Sequence, residues 1–213
     1  MMNTYLFDFD GTLVDSMPTF VGMMQRILDE NNISYGDDLI RIITPLGYEG
    51  TAIYFKEKLG LKLSLEEIEA LMNKYAIEEY TQSIPAKNNV VKTLEALKSR
   101  GASLNILTAS PHFMLDPCLK RLGIYDLFDN VWSCDDFKTS KADPNIYVMA
   151  AEKIGVPVGE VLFLDDNFNA DKTAKEAGMK VCGVYDETSA DCEDEIRTLA
   201  DYYIKDFSEL LDI

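Results

Sequence analysis

Residues 8–12 read Asp-Phe-Asp-Gly-Thr, and two carboxylates one residue apart can divide the work of moving a phosphoryl group. In an extended strand Asp8 and Asp10 point to a common side, away from Phe9. One carboxylate can attack phosphorus and form an aspartyl-phosphate. The other can protonate the leaving oxygen and afterwards take a proton from water. Gly11 permits a tight turn and brings backbone N–H groups near phosphate oxygens. The same residues also suit an ordinary turn after a strand, where acids and glycine are common. The pattern alone leaves both readings open.

Such groups act together only if the fold gathers them. Apolar runs at 5–9, 104–107, 161–164 and 181–184 each end at or near a polar residue: Asp10, Thr108, Asp165-Asp166 and Asp186. They read as buried parallel strands. A weaker run at 131–134 precedes Asp135-Asp136, and residues 202–204 suit an edge strand. Helical patterns lie between: 90–99, with Val90, Val91, Leu94 and Leu97 on one face and Arg100-Gly101 at its end, then 144–154 and 170–177. Strands alternating with helices predict a parallel α/β sheet, and such sheets bind ligands at the carboxyl ends of their strands. Asp8, Thr108 and Asp165-Asp166 are predicted there. Between 15 and 85 no strand-like run occurs; 17–31, 50–59 and 64–80 read as helices. Ser64 and Glu67 form a capping box.

The motifs in order resemble the haloacid dehalogenase superfamily of phosphatases. The run 6–16, LFDFDGTLVDS, is similar to its first motif, and 104–110, LNILTAS, to its second. Lys141 in SKADPNIY (140–147) is similar to the third, and LFLDDNFNAD (162–171) with Ala177-Gly178-Met179 to the fourth. The resemblance implies a Rossmann-like α/β core over 1–14 and 87–213. The helical stretch 15–86 is then an inserted cap like that of phosphoglycolate phosphatase-like members. It implies Asp8 as nucleophile and Asp10 as general acid and base. Thr108 and the N–H of Ala109 hold phosphoryl oxygens, beside the Gly11 turn. Lys141 neutralises charge and orients Asp8. Mg²⁺ is implied on Asp8, the carbonyl of Asp10, and Asp166. Mg²⁺ takes octahedral oxygen ligands and keeps several waters, so few carboxylates suffice. Asp165 is expected as a partner of Mg²⁺ or Lys141. Asp171 is expected as an outer group or as a first-turn acid of its helix; Asp165-Asp166 also suit an N-cap pair. The chain departs from the family pattern at Ala109-Ser110, Ala142 and Asn167.

The implied hinges are Asp15 and Pro85-Ala86. A loop at 43–50, with Gly47 and Tyr48, is expected to face substrate. Arg41 is the nearest upstream cation for a distal phosphate or carboxylate, or else a surface arginine. Tyr35, Tyr48, Tyr54 and Phe55 are expected in the cap core. A phosphoglucomutase-like transferase and a non-catalytic binding relative are the alternatives. The mutases carry a histidine in the first cap helix, whereas the one histidine here is His112.

Composition narrows the rest. The chain has 213 residues, 20 Lys plus Arg and 37 Asp plus Glu, a formal charge of −17. That field aids solubility and repels nucleic acid and anionic membranes. It also repels phosphate esters, so a phosphate site needs a metal ion and a placed cation. The expected partner is a small phosphorylated metabolite, with no nucleic acid and no membrane, bound by a monomer or small homo-oligomer. Cys118, Cys134, Cys182 and Cys192 form no C-x-x-C pair, which argues against zinc and for reduced thiols. No signal-peptide pattern and no apolar run of spanning length appear, so the expectation is a soluble, cytoplasmic protein.

Overall fold

A computed structural model describes residues 3–43 and 46–213. The chain divides into two compact units, residues 1–16 with 84–213, and residues 17–83.

The first unit is built on six parallel strands: β1 (Thr4–Phe7), β2 (Ser103–Thr108), β3 (Asn130–Ser133), β4 (Val161–Asp165), β5 (Lys180–Val184) and β6 (Tyr202–Ile204). Their spatial order is β3-β2-β1-β4-β5-β6. The chain steps outwards from β1 in one direction and then, from β4, in the other. β1 is therefore central, and the switch between the two directions lies between β1 and β4. Loops leaving these two strands diverge and open a crevice at their carboxyl ends. Phe7 is in register with Ile106 on one side and Leu164 on the other. Tyr5, Leu6, Phe7, Leu104, Ile106, Leu107 and residues 161–164 are all buried, as a sheet covered on both faces requires.

Helices α5 (Val90–Ser99), α6 (His112–Arg121), α7 (Asn145–Ile154), α8 (Phe168–Glu176) and α9 (Glu193–Leu199) connect these strands. Three details differ from expectation. The first strand ends at Phe7, so Asp8 and Asp10 lie beyond it and strand alternation does not orient them. α8 begins at Phe168, and its N-cap is Asn167, whose side chain accepts from Asn169 N and Ala170 N; Asp165-Asp166 are not the cap. α6 and α9 were not expected. α6 contains Pro117, which breaks the usual helical reading.

The second unit holds α1 (Met17–Glu30), α2 (Leu39–Ile43), α3 (Gly47–Glu57) and α4 (Leu65–Gln82). Met24, Ile27, Leu28, Phe55, Ile68, Met72 and Ala76 form its interior. The capping box is made: Glu67 N donates to Ser64 Oγ at 3.1 Å and Ser64 N to Glu67 Oε2 at 2.7 Å. Thr44 and Pro45 of the expected 43–50 loop lie outside the described residues. Gly47–Gly50 belong to α3, not to a loop, and Gly47 at its first position has φ of +64°, a conformation that glycine adopts without a side-chain clash. Of the four aromatics expected in this core, Phe55 is buried, Tyr35 and Tyr54 are half-buried, and Tyr48 is exposed against Phe20. Among the described residues, no helix is long and apolar enough to cross a membrane. Cys118, Cys134 and Cys182 are buried free thiols, and Cys192 is half-buried.

Candidate active site

Asp8 is the first residue past central β1. Its N–H donates to Leu164 O at 2.8 Å, which seats it beside the end of β4. There the carboxylates of Asp8, Asp165 and Asp166 converge, with oxygens within 4.8 Å of one another. Lys141 enters from the segment before α7. Its ammonium contacts Asp8 Oδ1 and lies 2.8 Å from Asp165 Oδ2. Burial disfavours the charged lysine, but the carboxylates of Asp165 and Asp8 outweigh it and hold the group above its ordinary range.

The remaining contacts sort the carboxylates. Asp165 uses Oδ2 on Lys141 and Oδ1 on the N–H of Asn167, at 2.8 Å. It thus anchors the lysine. Asp166 accepts from Thr12 Oγ1 at 3.0 Å through Oδ1. Burial, reinforced by Asp165, Asp8 and Asp186, pushes the Asp166 carboxyl up. Asp171 lies behind in α8, fully buried, and neither oxygen has a hydrogen-bond partner. Burial, then the charges of Asp165 and Asp166, push it up as well. A hard, all-oxygen donor set with more negative charge than Lys141 can offset fits a divalent cation such as Mg²⁺.

The turn after Asp8 is fixed internally. Gly11 N donates to Val14 O at 3.0 Å, and Leu13 N to Phe9 O at 2.8 Å. Asp10 accepts from Ser110 Oγ, so the second motif touches the first through a hydroxyl that the sequence did not single out. Thr108 ends β2, buried, and accepts from Ser110 N at 3.1 Å. Ala109 between them is exposed. Gly11 has φ of +75°, and a Cβ there would lie 2.6 Å from Asp166 Oδ2. A side chain is thus excluded by both backbone and space. Gly11→Ala is expected to lower stability by roughly 1–3 kcal/mol and to displace Asp166. Chemical denaturation together with divalent-metal affinity would measure both effects.

Tyr147 and Lys87 also escaped the sequence reading. The Tyr147 hydroxyl lies 3.2 Å from Lys141 O and 3.1 Å from Ala170 O, tying the lysine segment to α8. Lys87 meets the carbonyls of Gly11 and Tyr185 and the carboxylate of Asp186. Their partners are mostly backbone carbonyls, which carry no residue-type signature. His112 opens α6 with its ring nitrogens 2.8 Å from Asp116 and Asp136. These hydrogen bonds raise its pKa. Arg41, Gly47 and Tyr48 are exposed residues of the helical unit.

Comparison with known proteins agrees along most of the chain. The family described as haloacid dehalogenase-like hydrolase matches residues 5–184. The phosphorylated carbohydrates phosphatase of Thermotoga maritima is 27% identical, with 84% of this chain and 83% of that protein covered. The glyceraldehyde 3-phosphate phosphatase of Methanocaldococcus jannaschii is 27% identical over 100% of this chain and 97% of its own. A HAD family hydrolase from Deinococcus radiodurans, crystallised with bound phosphate and sodium, has a TM-score of 0.78 at 18% identity, covering 98% and 93% of the two chains.

Proposed function

The chain belongs to the haloacid dehalogenase-like hydrolases, and on that premise we propose that it is a Mg²⁺-dependent phosphatase of a small phosphomonoester, working through an aspartyl-phosphate on Asp8. Phosphoric monoester hydrolysis as a class follows from the family and its phosphatase relatives. The observation that carries the finer reading is the contact of Lys141 with both Asp8 and Asp165 at the mouth of the central strand. It places one fixed cation against a carboxylate that must stay ionised to attack.

An Asp8 oxygen attacks phosphorus while the bond from phosphorus to the ester oxygen breaks. Asp10 gives its proton to that oxygen, and the alcohol leaves. Asp10, now a carboxylate, takes a proton from the water that attacks the phosphoryl-Asp8. The bond from phosphorus to Asp8 breaks, and inorganic phosphate departs with Asp10 protonated again. Thr108 and the Ala109 N–H hold the equatorial oxygens. Asp8, Asp166 and the carbonyl of Asp10 would hold Mg²⁺, which supplies charge neutralisation to the phosphoryl group when bound. Asp165 serves Lys141. Water is the second acceptor in this reading because the helical unit holds no histidine to restrain Asp10, His112 being the only one in the chain.

The test is phosphate release from a panel of sugar, triose, glycolate and nucleotide monophosphates and pyrophosphate. EDTA is expected to abolish turnover, Mg²⁺ to restore it, and Ca²⁺ to restore little, because its larger, looser shell disturbs in-line attack. Undiminished release in EDTA would refute the metal. With β-glucose 1-phosphate and catalytic glucose 1,6-bisphosphate, glucose 6-phosphate forming faster than phosphate would refute hydrolysis as the outcome.

A further inference from the structure

Lys87 stands outside every motif with a catalytic reading, yet its ammonium reaches Gly11, Tyr185 and Asp186 at once. It donates to the carbonyl of Gly11. It donates to Tyr185 O, just past the end of β5, at 2.7 Å. It pairs with Asp186 Oδ2 at 2.9 Å. An ammonium has three donors, and all three are used. Its surroundings are largely buried: the Lys87 side chain is 18% exposed and that of Asp186 5%. Asp186 is itself fixed, since its Oδ1 accepts from Thr188 N at 2.9 Å and from the Thr188 hydroxyl. Burial would raise the Asp186 carboxyl, but hydrogen bonds from Thr188 and Lys87 hold it below its ordinary range. The Lys87 backbone is fixed too, its N–H donating to Leu13 O at 3.0 Å.

The peptide whose carbonyl Lys87 holds joins Gly11 to Thr12. On one side of Gly11 stands Asp10; on the other, Thr12 donates to Asp166. Gly11 is the most freely rotating residue of this turn, at φ of +75°. The Gly11 N–H is held by Val14 O at 3.0 Å and its carbonyl by Lys87, so the turn after Asp10 is tied down on both sides of its freest residue. Ser110 restrains the Asp10 side chain from the β2 side; Lys87 restrains the main chain of the next residue, Gly11, from the β5 side.

We propose that Lys87 is a positioning residue for Asp10: by holding the Gly11-Thr12 peptide it fixes the turn that follows Asp10, and with it the angle from which the carboxyl reaches the ester oxygen. The proposal rests on the reading of Asp10 as general acid. A group that must deliver a proton needs to lie within about 2.6–3.2 Å of its target, and a displacement of about 1 Å can cost roughly a hundredfold in rate. The loss should therefore depend on how much the leaving oxygen needs that proton. An alkyl oxygen needs it fully; a p-nitrophenolate leaves without it.

The experiment compares kcat/KM, which reads the step that breaks the ester bond, for p-nitrophenyl phosphate and for the best alkyl monoester of the phosphatase panel. The variants are Lys87→Met, Lys87→Arg and Asp10→Asn, each checked for folding by circular dichroism and thermal denaturation. Lys87→Met keeps the stem and removes the three donors. Lys87→Arg keeps the charge, but its planar fork cannot meet three tetrahedrally placed acceptors; it also guards against Lys87→Met failing to fold. For Lys87→Met the loss on the alkyl ester is expected to exceed that on p-nitrophenyl phosphate by about tenfold or more. Lys87→Arg should show the same bias at smaller size, and Asp10→Asn the largest bias. Equal losses on both substrates, or none, in the Lys87 variants while Asp10→Asn keeps its bias would overturn the role of Lys87 alone. No bias in Asp10→Asn would instead overturn the reading of Asp10, and the Lys87 proposal with it.

Discussion

Asp8→Asn is expected to reduce phosphate release by at least about a thousandfold while leaving the fold in place. The amide keeps the size of the carboxylate and its place past β1, but its oxygen is neutral and a poor nucleophile. If the covalent step is obligatory, no other group can take it over, and losing a nucleophile of this kind removes nearly all of the catalysis that its neighbours assist. Stability should change little. The Asp8 N–H bond to Leu164 is a backbone bond and survives. Lys141 keeps Asp165 as a partner, and removing one charge from the Asp8–Asp165–Asp166 cluster relieves repulsion. The thermal midpoint should stay within a few degrees of wild type. Incubation with a phosphomonoester followed by acid quench and intact-mass measurement should show a phosphoryl adduct on the wild type and none on the variant. Near-normal turnover by Asp8→Asn would end the covalent reading.

The strands were legible because a fully buried parallel strand must be a short apolar run, and each run here stops at or near a polar residue. Residues 161–164 followed by Asp165-Asp166 are the clearest case. That termination also located Asp8, Thr108 and Asp166 at one end of the sheet before any packing was known. The order of strands was not legible locally; it depends on which crossover covers which face. α6 was missed because Pro117, inside a helix that runs His112–Arg121, is a residue that usually ends or breaks one. An N-cap pair was the alternative reading of Asp165-Asp166, because any Asp suits a cap. In the fold those two carboxylates face Lys141 and Thr12, and Asn167 is left to cap. Asp171 read equally as an outer group of the site or as a first-turn acid of its helix; it is buried, and neither oxygen has a hydrogen-bond partner. Nothing in a single sequence distinguishes an acid on the solvent side of α8 from one turned under the sheet. Lys87 and Tyr147 were invisible for a related reason: they act on carbonyls, and every residue has one.

Lys141→Met is expected to be the most damaging single change to stability in this site, and to cut turnover sharply as well. Methionine fills a similar stem volume, so packing is largely kept, although the ammonium 5.6 Å from the centre of the Phe163 ring goes. What is lost is the one cation between Asp8 and Asp165. Asp165 is 1% exposed and cannot recover its hydration. Breaking a buried pair from one side leaves an uncompensated charge and costs about 3–5 kcal/mol, which for a chain of this size lowers the midpoint by roughly 6–20 °C. Turnover should fall by about a hundredfold or more, as when a fixed donor to a developing charge is removed. The two losses have different origins and can be separated. Adding Asp165→Asn to Lys141→Met removes the stranded charge, so at least half of the lost stability should return. Activity should not return, because the cation beside Asp8 is still missing. Denaturation in EDTA, so that metal binding does not mask the difference, together with phosphate release in Mg²⁺, measures both. If the double variant is no more stable than Lys141→Met, Asp165 is not the group that Lys141 compensates. If it regains turnover, the charge of Lys141 is not needed for chemistry at Asp8.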